Sequence, residues 1–285
     1  MALISDLLAA GPTYSFEFFP PKTDAEQATL VRALVDLQPL NPSFVSVTYR
    51  GGLASRRRTT ELVAGMVKTT GFTPMAHLIC ASHTRLDLAE TLVEMRKAGV
   101  ENILALGGDP PVHEDSFQGE LLYAEELVHL ARAIGGFSIG VAAHPIGHPR
   151  SSNLVSDRHH LASKMHAADF AMSQFFFEAD DYFRLVNEMH DIGVTKPIVP
   201  GIMPVTAHSS IDRMGSMGAA VPGWMVHRLT KYSNPDDIYR EGVDMATELC
   251  QKLMAQGAPG LHFYTLNKSH ATREMYRALG LGVPA

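Results

Sequence analysis

Hydrophobic positions along the chain switch between two periods. Tyr14, Phe16 and Phe18 alternate with Ser15, Glu17 and Phe19, the period of a strand, and Pro20-Pro21 stops it at once. The segment 24–37 then spreads Ala28, Leu30, Val31, Leu34, Val35 and Leu37 over one broad helical face, with Asp24 near its start. This exchange of periods recurs to the end of the chain. Further strands are predicted at 44–49, 73–80, 102–106, 138–143, 170–177, 197–203 and 261–266, the seventh interrupted by proline. Further helices are predicted at 60–70, 84–98, 119–134, 156–167, 179–192, 209–218 and 235–256, and the untyped 270–279 closes the chain. Glycines such as Gly71 and Gly99 close some of them, and Gly51-Gly52 breaks the chain after the second strand. The segment 222–230, which carries Trp224, fits neither period.

Strands that alternate with helices imply a parallel sheet, and eight such units in this length predict a closed (β/α)8 barrel. A doubly wound open sheet is the alternative, but no G-x-G-x-x-G follows the first strand as its dinucleotide-binding version requires. No linker rich in Gly, Ser and Pro divides the chain, so residues 1–285 are expected to form one domain.

Composition narrows the function. A net charge of −6 argues against a nucleic-acid binder, although Arg56-Arg57-Arg58 remains a candidate site for an anionic group. Cys80 and Cys250, the two cysteines, lie far apart, so no disulfide framework is expected and a reducing cytoplasm fits. The start of the chain has no basic segment and too short an apolar run for a signal peptide or membrane span, which predicts a cytoplasmic protein.

In a barrel the strands deliver their C-terminal ends to one site. The polar residues at or near those ends are Glu17, Thr48, His77, Asp109, His144, Gln174 and Tyr264. Taken singly, His77 reads as a core histidine, Gln174 as a filling amide and Tyr264 as a rim residue; together they predict a site. Glu17, flanked by Phe16, Phe18 and Phe19, is expected to keep a proton near neutrality, as a general acid must. A metal-dependent hydrolase is the competing reading of the many histidines, with His144 and His148 near Asp109. Pro145 inside H-P-I-G-H keeps those two from sharing a helical face, and the first strand offers F-E-F where an H-x-H ligand pair would stand. No metal is therefore expected. Neither cysteine lies in a nucleophile motif, and G-x-S-x-G does not occur.

Read together, SFEFFPPK, FVSVTY, the histidine of AHLIC, LGGDPP, AAHP with GHP, ADFAMSQFFF, PGIMPVT and HFYTLNK resemble the methylenetetrahydrofolate reductases. The matches run in order from about Ser15 to about Gly280. The resemblance implies a barrel that reduces 5,10-methylenetetrahydrofolate to 5-methyltetrahydrofolate with NADH or NADPH, a step of one-carbon metabolism and methionine biosynthesis. In the family a non-covalent FAD relays the hydride. Carried onto this chain, the resemblance makes Glu17 the general acid, Asp109 the residue that binds the pterin, and Gln174, Tyr264 and Lys268 contacts of the folate side. It places Thr48, His77, His148, Asp157, Lys164 and Ala168 on FAD, with His144 bordering the same space.

The chain also departs from the family. Leu106-Gly107-Gly108-Asp109-Pro110 stands where relatives read L-R-G-D-P, and His144-Pro145 where they read Tyr-Pro. His160 and Ser163 precede Lys164 where relatives have Asn and Arg, A-G-A-D-F is shortened to Ala167-Ala168-Asp169-Phe170, and Lys268 replaces an Arg. Two guanidiniums are lost from a site that meets two phosphate charges, so weak or absent FAD binding and direct hydride transfer are expected, with Arg158 or the 56–58 cluster as substitute cations. The alternatives are the same reductase with a conventional FAD relay and a folate-binding barrel without catalysis.

Overall fold

The computed structural model describes residues 2–49, 53–109, 117–216, 219 and 221–281. Gly51-Gly52, Pro110-Pro111 and the end of the helix predicted to reach Gly218 lie outside the described residues.

Eight parallel strands close into a barrel in sequence order: β1 Thr13–Phe18, β2 Phe44–Val47, β3 Pro74–Ile79, β4 Asn102–Leu106, β5 Ser138–Ala143, β6 Phe170–Phe175, β7 Ile198–Ile202 and β8 Gly260–Tyr264. The expected (β/α)8 barrel is thus the fold. Around it lie α1 Ile4–Ala10, α2 Asp24–Leu37, α3 Leu53–Thr69, α4 Arg85–Lys97, α5 Ala124–Ile134, α6 Leu154–Ala167, α7 Ala179–Asp191, α8 Ser209–Ser216, α9 Gly223–Leu229, α10 Pro235–Ala255 and α11 His270–Ala278. The caps explain several starts. Thr84 and Asp87 form a reciprocal capping box on α4, and Asn234 caps α10 ahead of Pro235.

Four expectations shift. Helix α3 begins before the predicted 60 and α5 begins after the predicted 119; the untyped 222–230 is the short helix α9; and the first residues form α1. Helix α1 plugs the N-terminal mouth of the barrel. Its Ile4 amide donates to Asn102 Oδ1 at 2.8 Å and its Ser5 amide to Ser138 Oγ at 3.0 Å. Ile4 itself joins Phe44, Met75, Leu104, Phe170, Met172 and Val199 in an apolar floor inside the barrel.

Period-2 alternation sets everything above that floor. Phe16, Phe18, Val45, Val47, Ala76, Leu78, Ile103 and Ala105 face the helices in the main core. Their neighbours in sequence, Ser15, Glu17, Ser46 and His77, are buried on the barrel interior. The seam between β8 and β1 pairs Ser15 with His262 and Glu17 with Tyr264. Gly260 makes that seam possible: at φ +138° its missing Cβ would sit 1.9 Å from the Thr13 carbonyl oxygen. Among the described residues no helix is long and apolar enough to cross a membrane.

Candidate active site

Glu17 is only 5% exposed at the C-terminal end of β1. All of its carboxyl contacts fall on one oxygen. Oε2 lies 3.3 Å from His262 Nε2, 3.5 Å from His77 Nε2 and 3.4 Å from the Ser46 hydroxyl, which donates to it. Among the described residues Oε1 has no hydrogen bond, which leaves it for a ligand. On the far side of its ring, His262 Nδ1 is 2.8 Å from the Ser15 hydroxyl. With Ser15 donating to Nδ1, the Nε2–H points its proton at Glu17, so Ser15, His262 and Glu17 form a line across the seam.

The carboxyl therefore stands among polar groups. The rings of its own strand, expected to desolvate it, do not surround it: Phe16 and Phe18 point outward, and Phe16 packs on Tyr276 of α11. His77 approaches Oε2 at ion-pair distance without hydrogen-bond geometry, and among the described residues its buried Nε2 is unpartnered, as is the buried Thr48 Oγ1. Burial, the larger effect, and His262 push His77 below the ordinary histidine value, while the Glu17 charge opposes them. Tyr264 is held far above the usual phenol value by burial and then by Glu17. Its hydroxyl donates to the Ser173 carbonyl at 2.9 Å, and its ring lies where a Cβ on Gly201 would come within 2.6 Å.

Gln174 sits half-buried where the register between β6 and β7 shifts, a bulge that re-aims side chains at a barrel rim. Asp109 and Lys268 are exposed in the loops after β4 and β8. The loop after β5 carries His144 and His148, whose rings meet edge-on with centroids 4.6 Å apart. Asp157 accepts the His148 amide at 3.0 Å and the Ser151 hydroxyl at 3.2 Å, and pairs with Arg158 at 2.6 Å. Arg158 is further committed to Glu188 at 2.7 Å and to the carbonyls of His144 and Pro145, so it is no substitute cation for a ligand. Lys164 Nζ donates to the Ala142 carbonyl at 2.9 Å. Burial lowers its pKa, and Asp157 and Glu125 hold it up.

One expected site residue is misplaced. Ala168 caps the C-terminus of α6, just before β6 begins, and is fully buried with its carbonyl on Lys196 Nζ. That is the N-terminal face of the barrel, opposite Glu17, and Ala168 is corrected to a packing residue. Conversely, the sequence reading missed His262 and Ser15, whose signal was the same alternation that exposed Glu17 and Tyr264. Among the described residues no group of three or more His, Cys, Asp or Glu side chains is arranged to hold a metal. Both cysteines are free and buried, and burial pushes the Cys80 thiol up to about 12.

A sequence profile described as methylenetetrahydrofolate reductase matches residues 3–280. The 5,10-methylenetetrahydrofolate reductase of Pectobacterium carotovorum subsp. carotovorum is 33% identical over 270 residues, covering 94% of this chain and 90% of that one. The chain belongs to the methylenetetrahydrofolate reductase family. The enzyme of the same name from Buchnera aphidicola is 36% identical over 272 residues, with 94% and 91% of the two chains covered. In structure, an uncharacterized protein from Clostridium thermocellum that binds two copies of 5-methyl-5,6,7,8-tetrahydrofolic acid shares the fold. It aligns at TM-score 0.67 and 11% identity over 97% of each chain.

Positions 107, 160 and 163 depart from the family pattern. Gly107 has no side chain, the Ser163 hydroxyl is taken by Glu125 of α5 at 2.6 Å, and His160 is exposed. Arg158 is locked in its own network, and Arg56 and Arg57 pair with Asp87 and Glu61.

Histidines desolvated by the fold make a prediction about acid. Burial is the leading cause that lowers His77, His83, His144 and His148, with His144 pushed down to about 4. The neighbouring charges on His144 are His148, Lys164 and Arg158, which lower it, and Asp157, which raises it. Unfolded, each histidine takes its proton near pH 6.5, so below that the unfolded chain binds more protons and stability falls as pH falls. For His144 alone the loss from pH 7 to pH 5 is about 2 kcal/mol, or about 4–8 °C in melting temperature. The His144→Tyr variant is expected to lose less by about that amount in a melt series across this window; an identical acid loss contradicts the assignment.

Proposed function

We propose that this chain reduces 5,10-methylenetetrahydrofolate to 5-methyltetrahydrofolate, with hydride passing directly from NADH or NADPH and no flavin between them. The observation that carries the reading is Glu17: a buried carboxyl at the C-terminal mouth, with Oε2 held by Ser46 and His262 and Oε1 open.

Protonating the N10 side of the folate's five-membered ring opens it to a methylene iminium on N5. Glu17 Oε1 supplies that proton, and the Ser15–His262 line steadies the carboxylate left behind. The iminium carbon then takes a hydride from the nicotinamide, which leaves as NAD(P)⁺; one proton and one hydride convert the methylene to a methyl. Asp109 and Gln174 bind the pterin, Tyr264 seats it against β6, and Lys268 meets the folate from the β8 loop. The unpartnered His77 Nε2 and Thr48 Oγ1 offer polar contacts to the ring bound beside Glu17.

Without a relay, rate depends on stacking the two rings in one pocket, where fixed proximity replaces the intermediate carrier. Family membership and the family's printed activity support the substrate; the altered positions 107 and 163 support the direct transfer. The test is Glu17→Gln, which is expected to abolish turnover and retain folate binding; undiminished turnover would remove Glu17 from the role.

A further inference from the structure

The end of β1 is a weak point in the barrel seam. Its ladder to β8 stops with Glu17 opposite Tyr264, so the carboxyl assigned to the proton stands on the last rung. On the β2 side the Phe18 carbonyl accepts the Thr48 amide at 2.9 Å. Phe19 then carries the final N–H of the strand, because Pro20 and Pro21 have none to donate. A backbone left without rungs opens readily, and Glu17 Oε1 would move with it.

The turn after β8 supplies what the ladder lacks. The Asn267 side chain takes both backbone groups of Phe19: Oδ1 accepts its N–H at 2.8 Å, and Nδ2 donates to its carbonyl at 3.0 Å. One side chain thus imitates a strand rung. Thr265 Oγ1 donates to the Glu17 carbonyl itself and accepts the Asn267 amide at 3.2 Å, which ties the two grips together. The turn takes this shape against local preference. Leu266 and Asn267 lie side by side in the left-handed region, at φ 52° and 57°, two of the four non-glycine residues with positive φ among the described residues. Asn accommodates that conformation, whereas Leu carries steric strain, and Leu266 is also left 39% exposed. Such strain persists only where the surroundings hold it, and what it delivers here is the Asn267 amide at the end of β1.

We propose that Asn267 is a positioning residue for the general acid: its side-chain amide, with the Thr265 hydroxyl, fixes the end of β1 so that Glu17 Oε1 stays aimed at the folate nitrogen it protonates. The inference rests on the reading of Glu17 as that acid. Asn267 acts through the backbone of Phe19 and not on the reacting atoms. Proton transfer needs the donor within hydrogen-bond reach of its acceptor, and a displacement of about 1 Å costs up to about a hundredfold in rate. The pterin contacts proposed above, Asp109 and Gln174, lie on other loops, so affinity is expected to change far less than rate.

Three variants test it, after melting curves show each one folded. Asn267→Gly keeps the left-handed backbone and loses both grips on Phe19. Thr265→Val keeps the shape of the side chain and loses the bond to the Glu17 carbonyl. Asn234→Ala, the control, loses a side-chain bond to backbone of the same kind at the start of α10. Asn267→Gly and Thr265→Val are expected to lower kcat about ten- to hundredfold, with the affinity for 5-methyltetrahydrofolate in a fluorescence titration changed less than about threefold. Hydrogen exchange is expected to quicken in the peptide covering 14–22 in both, and the control is expected to alter neither reading. Unchanged kcat in Asn267→Gly would overturn the proposal, as would a loss in affinity alone, an equal loss of kcat in the control, or exchange as slow as in wild type. A wild-type protein that turns over no 5,10-methylenetetrahydrofolate would fail the reductase reading alone, and exchange then still decides whether Asn267 holds the end of β1.

Discussion

Glu17→Gln is expected to lower turnover of 5,10-methylenetetrahydrofolate by about 10²- to 10⁴-fold, the contribution of a positioned general acid. The amide is nearly isosteric, accepts at Oε1 and still fills the buried place between Ser46 and His262, so the folate should bind almost as before. What disappears is the transferable proton. The separation of these effects is informative: a loss confined to the rate constant identifies chemistry, and a loss confined to affinity identifies a binding carboxylate. Measurement of folate affinity by fluorescence titration alongside steady-state rates distinguishes them. Full activity would leave the Ser15–His262–Glu17 line as a structural bond across the barrel seam.

The second large effect is on folding. Gly260→Ala is expected to destabilise the protein by about 2–6 kcal/mol, the sum of a strained backbone and an overpacked contact. Gly260 has φ +138°, and a Cβ there would lie 1.9 Å from Thr13 O and 2.6 Å from Thr13 N, which are backbone atoms that cannot rotate away. The clash falls where β8 meets β1, the pair that closes the barrel and sets His262 opposite Ser15. A melting temperature lower by about 5–20 °C follows. Scanning calorimetry checks it, and a variant as stable as the parent would mean that the seam opens at little cost.

The barrel was legible because its signal is periodic and repeated. Eight changes from period 2 to the helical period do not depend on any single boundary. Short elements with little periodic length, α1 and α9, escaped. Glu17 and Tyr264 were legible as polar interruptions of apolar strands. The same alternation places Phe16 and Phe18 on the opposite face from Glu17, which is why the carboxyl has hydroxyl and imidazole neighbours instead of rings. It also places His262 two residues before Tyr264 on the inner face, a partner that attention to strand ends alone passes over. Ala168 precedes its strand, and so lies at the other end of the barrel from a ligand bound after the strands.

The central claim is direct hydride transfer to a folate activated by Glu17. The measurement that tests it most directly is NADH oxidation driven by 5,10-methylenetetrahydrofolate, using protein whose visible spectrum shows no flavin and with none added. Sustained turnover that forms 5-methyltetrahydrofolate and vanishes in Glu17→Gln is the predicted result. No turnover until FAD is supplied would contradict it.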